Sequence, residues 1–155
     1  MKKYINLLIL IPLFVLFSQN VTAQTETSED TVYQKMIAMK TKYPEGRRWT
    51  NRNHYSSKAG YGGSGCHAFA FILSDAAFDS APARKHKNLD ELKVGDIIRV
   101  NNNTHTVIVL AMDEETVTIA EGNYNKSVHW GRVLTRERLL RTGNYILTRY
   151  PTNKD

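Results

Sequence analysis

Gly62-Gly63-Ser64-Gly65-Cys66-His67-Ala68-Phe69-Ala70-Phe71-Ile72-Leu73 is the stretch on which the fold turns. From Cys66 to Phe78 there is neither Gly nor Pro, and apolar residues occupy nearly every side of a helical turn. A helix that is apolar all round is a buried one. The glycines ahead of it let the backbone turn sharply and leave room for another molecule to approach. The chain therefore reads as a buried helix whose N-terminus, carrying Cys66, opens at a glycine-rich turn.

Downstream the pattern changes to that of strands. Asp96 to Val100 is short and branched, and His105 to Met112 is a longer apolar run. Glu115 to Ala120 alternates Thr with branched apolar residues, and Ser127 to Arg132 and Asn144 to Tyr150 complete the set. Asp113-Glu114 and Asn123 to Lys126 read as turns, and Thr135 to Arg141 as a short helix. Upstream, Val32, Met36, Met39 and Tyr43 have helical spacing, and Pro44 stops the helix that begins at Thr31. Pro44 to Ser64 reads as a long loop, which in a compact domain is often functional. Pro82 and the basic cluster Arg84-Lys85-His86-Lys87 read as another loop. Helices followed by consecutive strands with tight turns define the α+β class, with N-terminal helices packed on a curled antiparallel sheet.

The 155 residues suffice for one domain. Lys and Arg number 21 against 15 Asp and Glu, a formal charge of +6. A basic surface favours anionic polymers such as those of a cell wall, and no nucleic-acid motif is present. There is no internal repeat. A single cysteine excludes an internal disulfide framework and any multi-cysteine zinc site. The histidines show no zinc spacing. At the N-terminus, Lys2 and Lys3 precede an apolar run from Leu7 to Phe17 and a polar segment ending Val21-Thr22-Ala23. That layout is a secretory signal peptide cut before Gln24, because a membrane span needs about 20 apolar residues. The expected organisation is a signal peptide over 1–23, a flexible leader over 24–30 and one domain over 31–155. The mature protein is expected outside the cytoplasm, secreted or in the cell envelope, without stable membrane insertion. In an oxidising compartment a lone thiol is buried and inert, paired between molecules, or kept as a nucleophile.

Thiolate chemistry is easiest at a helix N-terminus, where the dipole and free amides favour the anion. A thiol nucleophile also needs a base, and the base an orienting group. His105, Val107 and Val109 share one face of their strand, and Val117, Ile119, Glu121 and Asn123 share one face of the next. With both apolar rows turned to the helix, His105 and Glu121 point the same way. Pairing Ala111 with Glu115 or Thr116 sets His105 opposite residue 121 or 122. His67 is expected to point away from the thiol, and His54, His86 and His129 to lie in loops or on an outward face. The basic residues Arg47, Arg48, Arg84, Lys85 and Lys87 read as solvated.

The order Cys66, His105, Glu121-Gly122-Asn123 resembles the CHAP family, the cysteine- and histidine-dependent amidohydrolases/peptidases of the papain-like clan. The resemblance runs from about Gly62 to Pro151. It rests on Gly65-Cys66 before an apolar helix, Leu92-Lys93-Val94-Gly95-Asp96-Ile97-Ile98 leading into the sheet, His105 opening Thr106-Val107-Ile108-Val109, and Glu121-Gly122-Asn123 closing the next strand. It implies a papain-like amidase core with Cys66 as nucleophile and His105 as base. Glu121 would orient His105, and Asn123 would support the histidine or the oxyanion. The oxyanion would be held by the Cys66 N–H and a second donor, Tyr61 or Asn123. The family cleaves amide bonds in peptidoglycan, and the implied chemistry needs no metal or organic cofactor. Two alternatives stand beside it: a non-catalytic exported binding module of the same fold, and a cysteine peptidase with protein substrates.

Overall fold

A computed structural model describes residues 28–143 and 145–152 of the chain. The expected signal peptide, and residues 24–27 of the expected leader, lie outside them. Helix α1 spans Glu29–Ile37. It starts two residues before the expected Thr31, because Ser28 caps it: the Ser28 hydroxyl accepts the Thr31 N–H. Glu29 and Asp30 then sit in the first turn, where negative charge is favoured. The end of the expected leader is thus the cap and opening turn of this helix. After Ile37 the coil tightens into a 3-10 turn, Ala38–Thr41, before Pro44.

The Pro44–Ser64 segment is more structured than its sequence suggests. It holds a short antiparallel hairpin, β1 (His54–Ser56) with β2 (Gly62–Ser64), in which Tyr55 pairs with Gly63. Trp49 from the same segment is buried. The hairpin feeds directly into α2, Gly65–Phe78, which begins one residue before the helix expected over Cys66–Phe78 and has Ala68, Phe69, Phe71 and Leu73 almost wholly removed from water.

The remaining strands are β3 (Arg84–His86), β4 (Ile97–Val100), β5 (His105–Met112), β6 (Thr116–Tyr124), β7 (Ser127–Thr135) and β8 (Tyr145–Thr148). Helix α3, Arg136–Thr142, stands between β7 and β8. The strands form one antiparallel sheet in the order β3-β8-β4-β5-β6-β7. The basic cluster read as a solvated loop is its edge strand, with Arg84, Lys85 and His86 paired to Thr148, Leu147 and Ile146. Charged side chains on an edge strand discourage pairing with another chain, which is why the segment lacks an apolar alternation.

The two faces of the sheet build two apolar clusters. Ile97, Ile108, Leu110, Ala120, Val128 and Leu147 pack with α2 and with Val32 and Met36 of α1. Ile98, Val100, Val107, Val109, Val117, Ile119, Leu134 and Ile146 gather on the other side with Leu139 of α3. Each strand from β4 to β8 contributes to this second cluster, so the sheet is buried on both faces. The row His105, Val107, Val109 was expected to face α2; the apolar members of that row belong to the second cluster instead. Gly95, in the Val94-Gly95-Asp96 approach to β4, has φ 89°, and a Cβ there would strike Val32 and the Phe78 ring. That glycine lets the sheet close onto both helices at once.

Candidate active site

Gly65 opens α2 with φ 57°, a left-handed conformation that suits glycine. Its N–H donates to the Asn53 carbonyl at 2.9 Å, and its own carbonyl accepts the Trp49 indole N–H at 2.8 Å. The loop before the helix therefore holds the peptide that carries Cys66. A Cβ on Gly65 would collide with Asn51 Oδ1 and crowd Asn123 Nδ2. Replacing Gly65 with Ala is expected to cost about 1–2 kcal/mol through the left-handed backbone. It should also displace the two amides beside the thiol. Urea unfolding together with the alkylation rate of Cys66 checks both effects, and a variant that matches wild type in each would refute this reading of the turn.

Cys66 is half-buried. Burial pushes its thiol up, but His105, by hydrogen bond and charge, and the amide and hydroxyl of Thr106 outweigh it and bring the thiol down to about 7. Burial pushes the His105 ring down, but its hydrogen bonds to Cys66 and Glu121, and the charges on both, carry it up to about 9. Thiolate and imidazolium are therefore the favoured partners near neutral pH. His105 is 12% exposed, and its Nε2–H donates to Glu121 Oε2 at 2.6 Å. That leaves Nδ1 for the thiol.

Glu121 is fully buried. Burial raises its carboxyl, but Arg132 and then His105 more than offset this and hold it below the usual carboxylate range. Arg132 Nη2 donates to Oε2 at 2.7 Å and Arg132 Nε donates to Oε1, a two-pronged grip from β7. The guanidinium lies 4.5 Å from the centre of the Tyr124 ring, which itself stands 6.4 Å from His105. Arg132 was not singled out in the sequence. The signal was there: an acid in the row Val117, Ile119, Glu121 needs a cation once buried, and the neighbouring strand carries one.

The hairpin register differs in detail from the expected one. Asp113 accepts the amides of Glu115 and Thr116, so the turn is wider than two residues. Ala111 consequently pairs with Thr118, and a bulge between Val109 and Ala111 shifts the far half to Ile108 opposite Ala120. Extended to the strand start, this register sets Asn123 level with His105 and Glu121 diagonal to it, a separation that long side chains cross. The two meet because their rows share a face, whichever cluster that face covers.

Asn123 does not support the histidine in this arrangement. It has φ 63°, and its amide donates to Asn51 Oδ1 at 2.8 Å, beside Gly65. Tyr61 is stacked on Phe71 of α2, ring centres 5.0 Å apart. His67 packs on the same Phe71 at 4.7 Å and against Gly63. His129 bonds Glu45 and Ser127 on β7, and His54 is exposed on β1. His86 departs from expectation, for both of its ring nitrogens are buried without a partner. Among the described residues no group of three metal-ligating side chains is present, and no helix is long and apolar enough to cross a membrane.

No family model and no curated protein matches the chain. Among solved structures it is similar in fold to Ly7917, with a TM-score of 0.54, 14% identity, and coverage of 79% of this chain and 62% of that one. A second structure, Ly7917 with the hydrolyzing product of MDP, matches with a TM-score of 0.50, 11% identity and coverage of 79% and 63%. The chain thus has an α+β fold found in Ly7917 and spans less than two thirds of that protein's length. At such identity the likeness is one of fold.

Proposed function

We propose that the protein is a secreted thiol hydrolase of the CHAP type, with a papain-like core, that cleaves amide bonds in peptidoglycan. The observation that carries this reading is the convergence of Cys66, His105 and buried Glu121, drawn from three separate elements, with the thiol brought down and the imidazole up. The MDP hydrolysis product in the second neighbour structure supports a peptidoglycan fragment as the substrate class.

The chemistry follows from the geometry. His105 takes the Cys66 proton, and the thiolate attacks the amide carbonyl. The Cys66 N–H at the start of α2 would donate to the developing oxyanion, with the Asn123 side-chain N–H, itself held by Asn51 Oδ1 beside Gly65, as a neighbouring donor. His105, as imidazolium, protonates the leaving amine, and water then releases the thioester. Glu121 holds Nε2–H throughout and so keeps Nδ1 aimed at the sulfur.

This cycle needs thiolate and imidazolium together. The active form appears as pH rises through about 7, where Cys66 ionises, and is lost above about 9, where His105 gives up its proton. A bell-shaped kcat/KM profile between those limits is expected on cell-wall suspensions. Walls bound but never cleared would favour a binding module. Casein cleavage without wall clearing would favour a protein substrate.

A further inference from the structure

Glu121 poses a problem that the His105 contact does not solve. It is a fully buried carboxylate whose strand neighbours Val117 and Ile119 are themselves buried apolar residues. A buried acid beside an imidazolium has an easy escape: it takes the ring proton, and both groups become neutral. That transfer would leave His105 uncharged and the thiolate without its counter-ion.

Arg132 closes this route. Its guanidinium is not deprotonated in proteins, and it holds both carboxylate oxygens. A fork of this kind matches carboxylate geometry better than a single point charge does. The arginine is itself held in place by the Tyr124 ring. The other titratable and charged groups around Glu121 come from neighbouring elements. Cys66 reaches His105 from α2, and His129, the cross-strand partner of Glu121, is engaged by Glu45. Arg99 of β4 is committed to Thr106 and Asn103. None of these supplies a second fixed cation to the carboxylate.

We propose that Arg132 is a positioning residue of the hydrolytic site: it keeps Glu121 ionised in an apolar setting and thereby keeps the proton on His105 and the charge on Cys66. The proposal deepens the hydrolase reading and rests on it for its meaning, but its test does not need a substrate. Iodoacetamide alkylation of Cys66 across pH reports the thiolate directly. In Arg132→Met the inflection should move up by about one pH unit, so that alkylation at pH 6 is about tenfold slower. Rates should converge with wild type at high pH, where every thiol is ionised. Arg132→Lys, which restores charge without the fork, should fall between the two and carries the test if the Met variant does not fold. Because Arg132 acts through Glu121, adding Arg132→Met to Glu121→Gln should shift the inflection no further than Glu121→Gln alone.

An unchanged or lowered inflection in Arg132→Met and Arg132→Lys would overturn the proposal. So would an equal slowing at every pH, which marks damage to access rather than loss of charge. If the inflection moves as expected while wild-type protein leaves cell walls intact, the hydrolase reading fails and the role of Arg132 in holding the Glu121 charge stands.

Discussion

Cys66→Ala is expected to abolish the proposed hydrolysis, lowering kcat by about 10,000-fold or more while the protein stays folded. Removal of a nucleophile or its base from a working triad has effects of this order. Cys66 is small and only half-buried, so truncation leaves the packing of Phe69, Phe71 and Leu73 in place. His105→Ala should cost a similar factor, and the double variant should be no worse than either single one, because the two groups act as one unit. Release of soluble fragments from cell walls, read beside a near-UV circular dichroism spectrum, checks both points. A Cys66→Ala protein that clears walls at the wild-type rate would refute the thiol mechanism outright.

The second large effect concerns stability. Asp75, on α2, accepts the Tyr55 hydroxyl, the Ser57 hydroxyl and the Lys58 amide, each at 2.8 Å, and Arg149 Nη1 at 2.5 Å. Arg149 also donates to the carbonyls of Ala81 and Asp79 and to the Ser74 hydroxyl. The two charged side chains are 3% and 1% exposed. One ion pair thus fastens the β1–β2 hairpin, the end of α2 and the segment after β8. Arg149→Met strands a buried carboxylate and should lower the unfolding free energy by about 3–5 kcal/mol. The urea midpoint measures it, and a loss below 1 kcal/mol would show the pair to be ornamental.

The same cluster predicts acid sensitivity. Burial raises the Asp75 carboxyl, but bonds from Lys58, Ser57, Arg149 and Tyr55 hold it below its ordinary range. Its contribution is therefore complete above the ordinary carboxylate value and fades as pH falls through the depressed one.

Much of this molecule was legible in its residues, and the gaps have physical causes. α2 and β5 announced themselves because each contains an unbroken apolar run, Ala68 to Leu73 and Val107 to Met112, long enough to mark a buried element. The meeting of His105 with Glu121 was legible because alternation alone decides which side chains share a face. The wide turn at Asp113 and the bulge near Leu110 were not, since both depend on local hydrogen bonds that no periodicity encodes. Which cluster each row would join was also hidden, for this sheet buries apolar residues on both faces. β3 escaped notice because its residues look like a solvated loop. Arg132 escaped because its purpose appears only once Glu121 is known to be buried.

The Trp49–Gly65 bond and the Thr106 contacts bring one more consequence. In the extended polypeptide Cys66 has no imidazole, amide or hydroxyl poised around it, so it titrates as any free cysteine does. Its sharpened acidity arrives only when α2 docks on the strands behind it. A nascent or misassembled copy is chemically dormant, and the speed with which a mild alkylator tags the sulfur at neutral pH becomes a gauge of how much of a sample has matured.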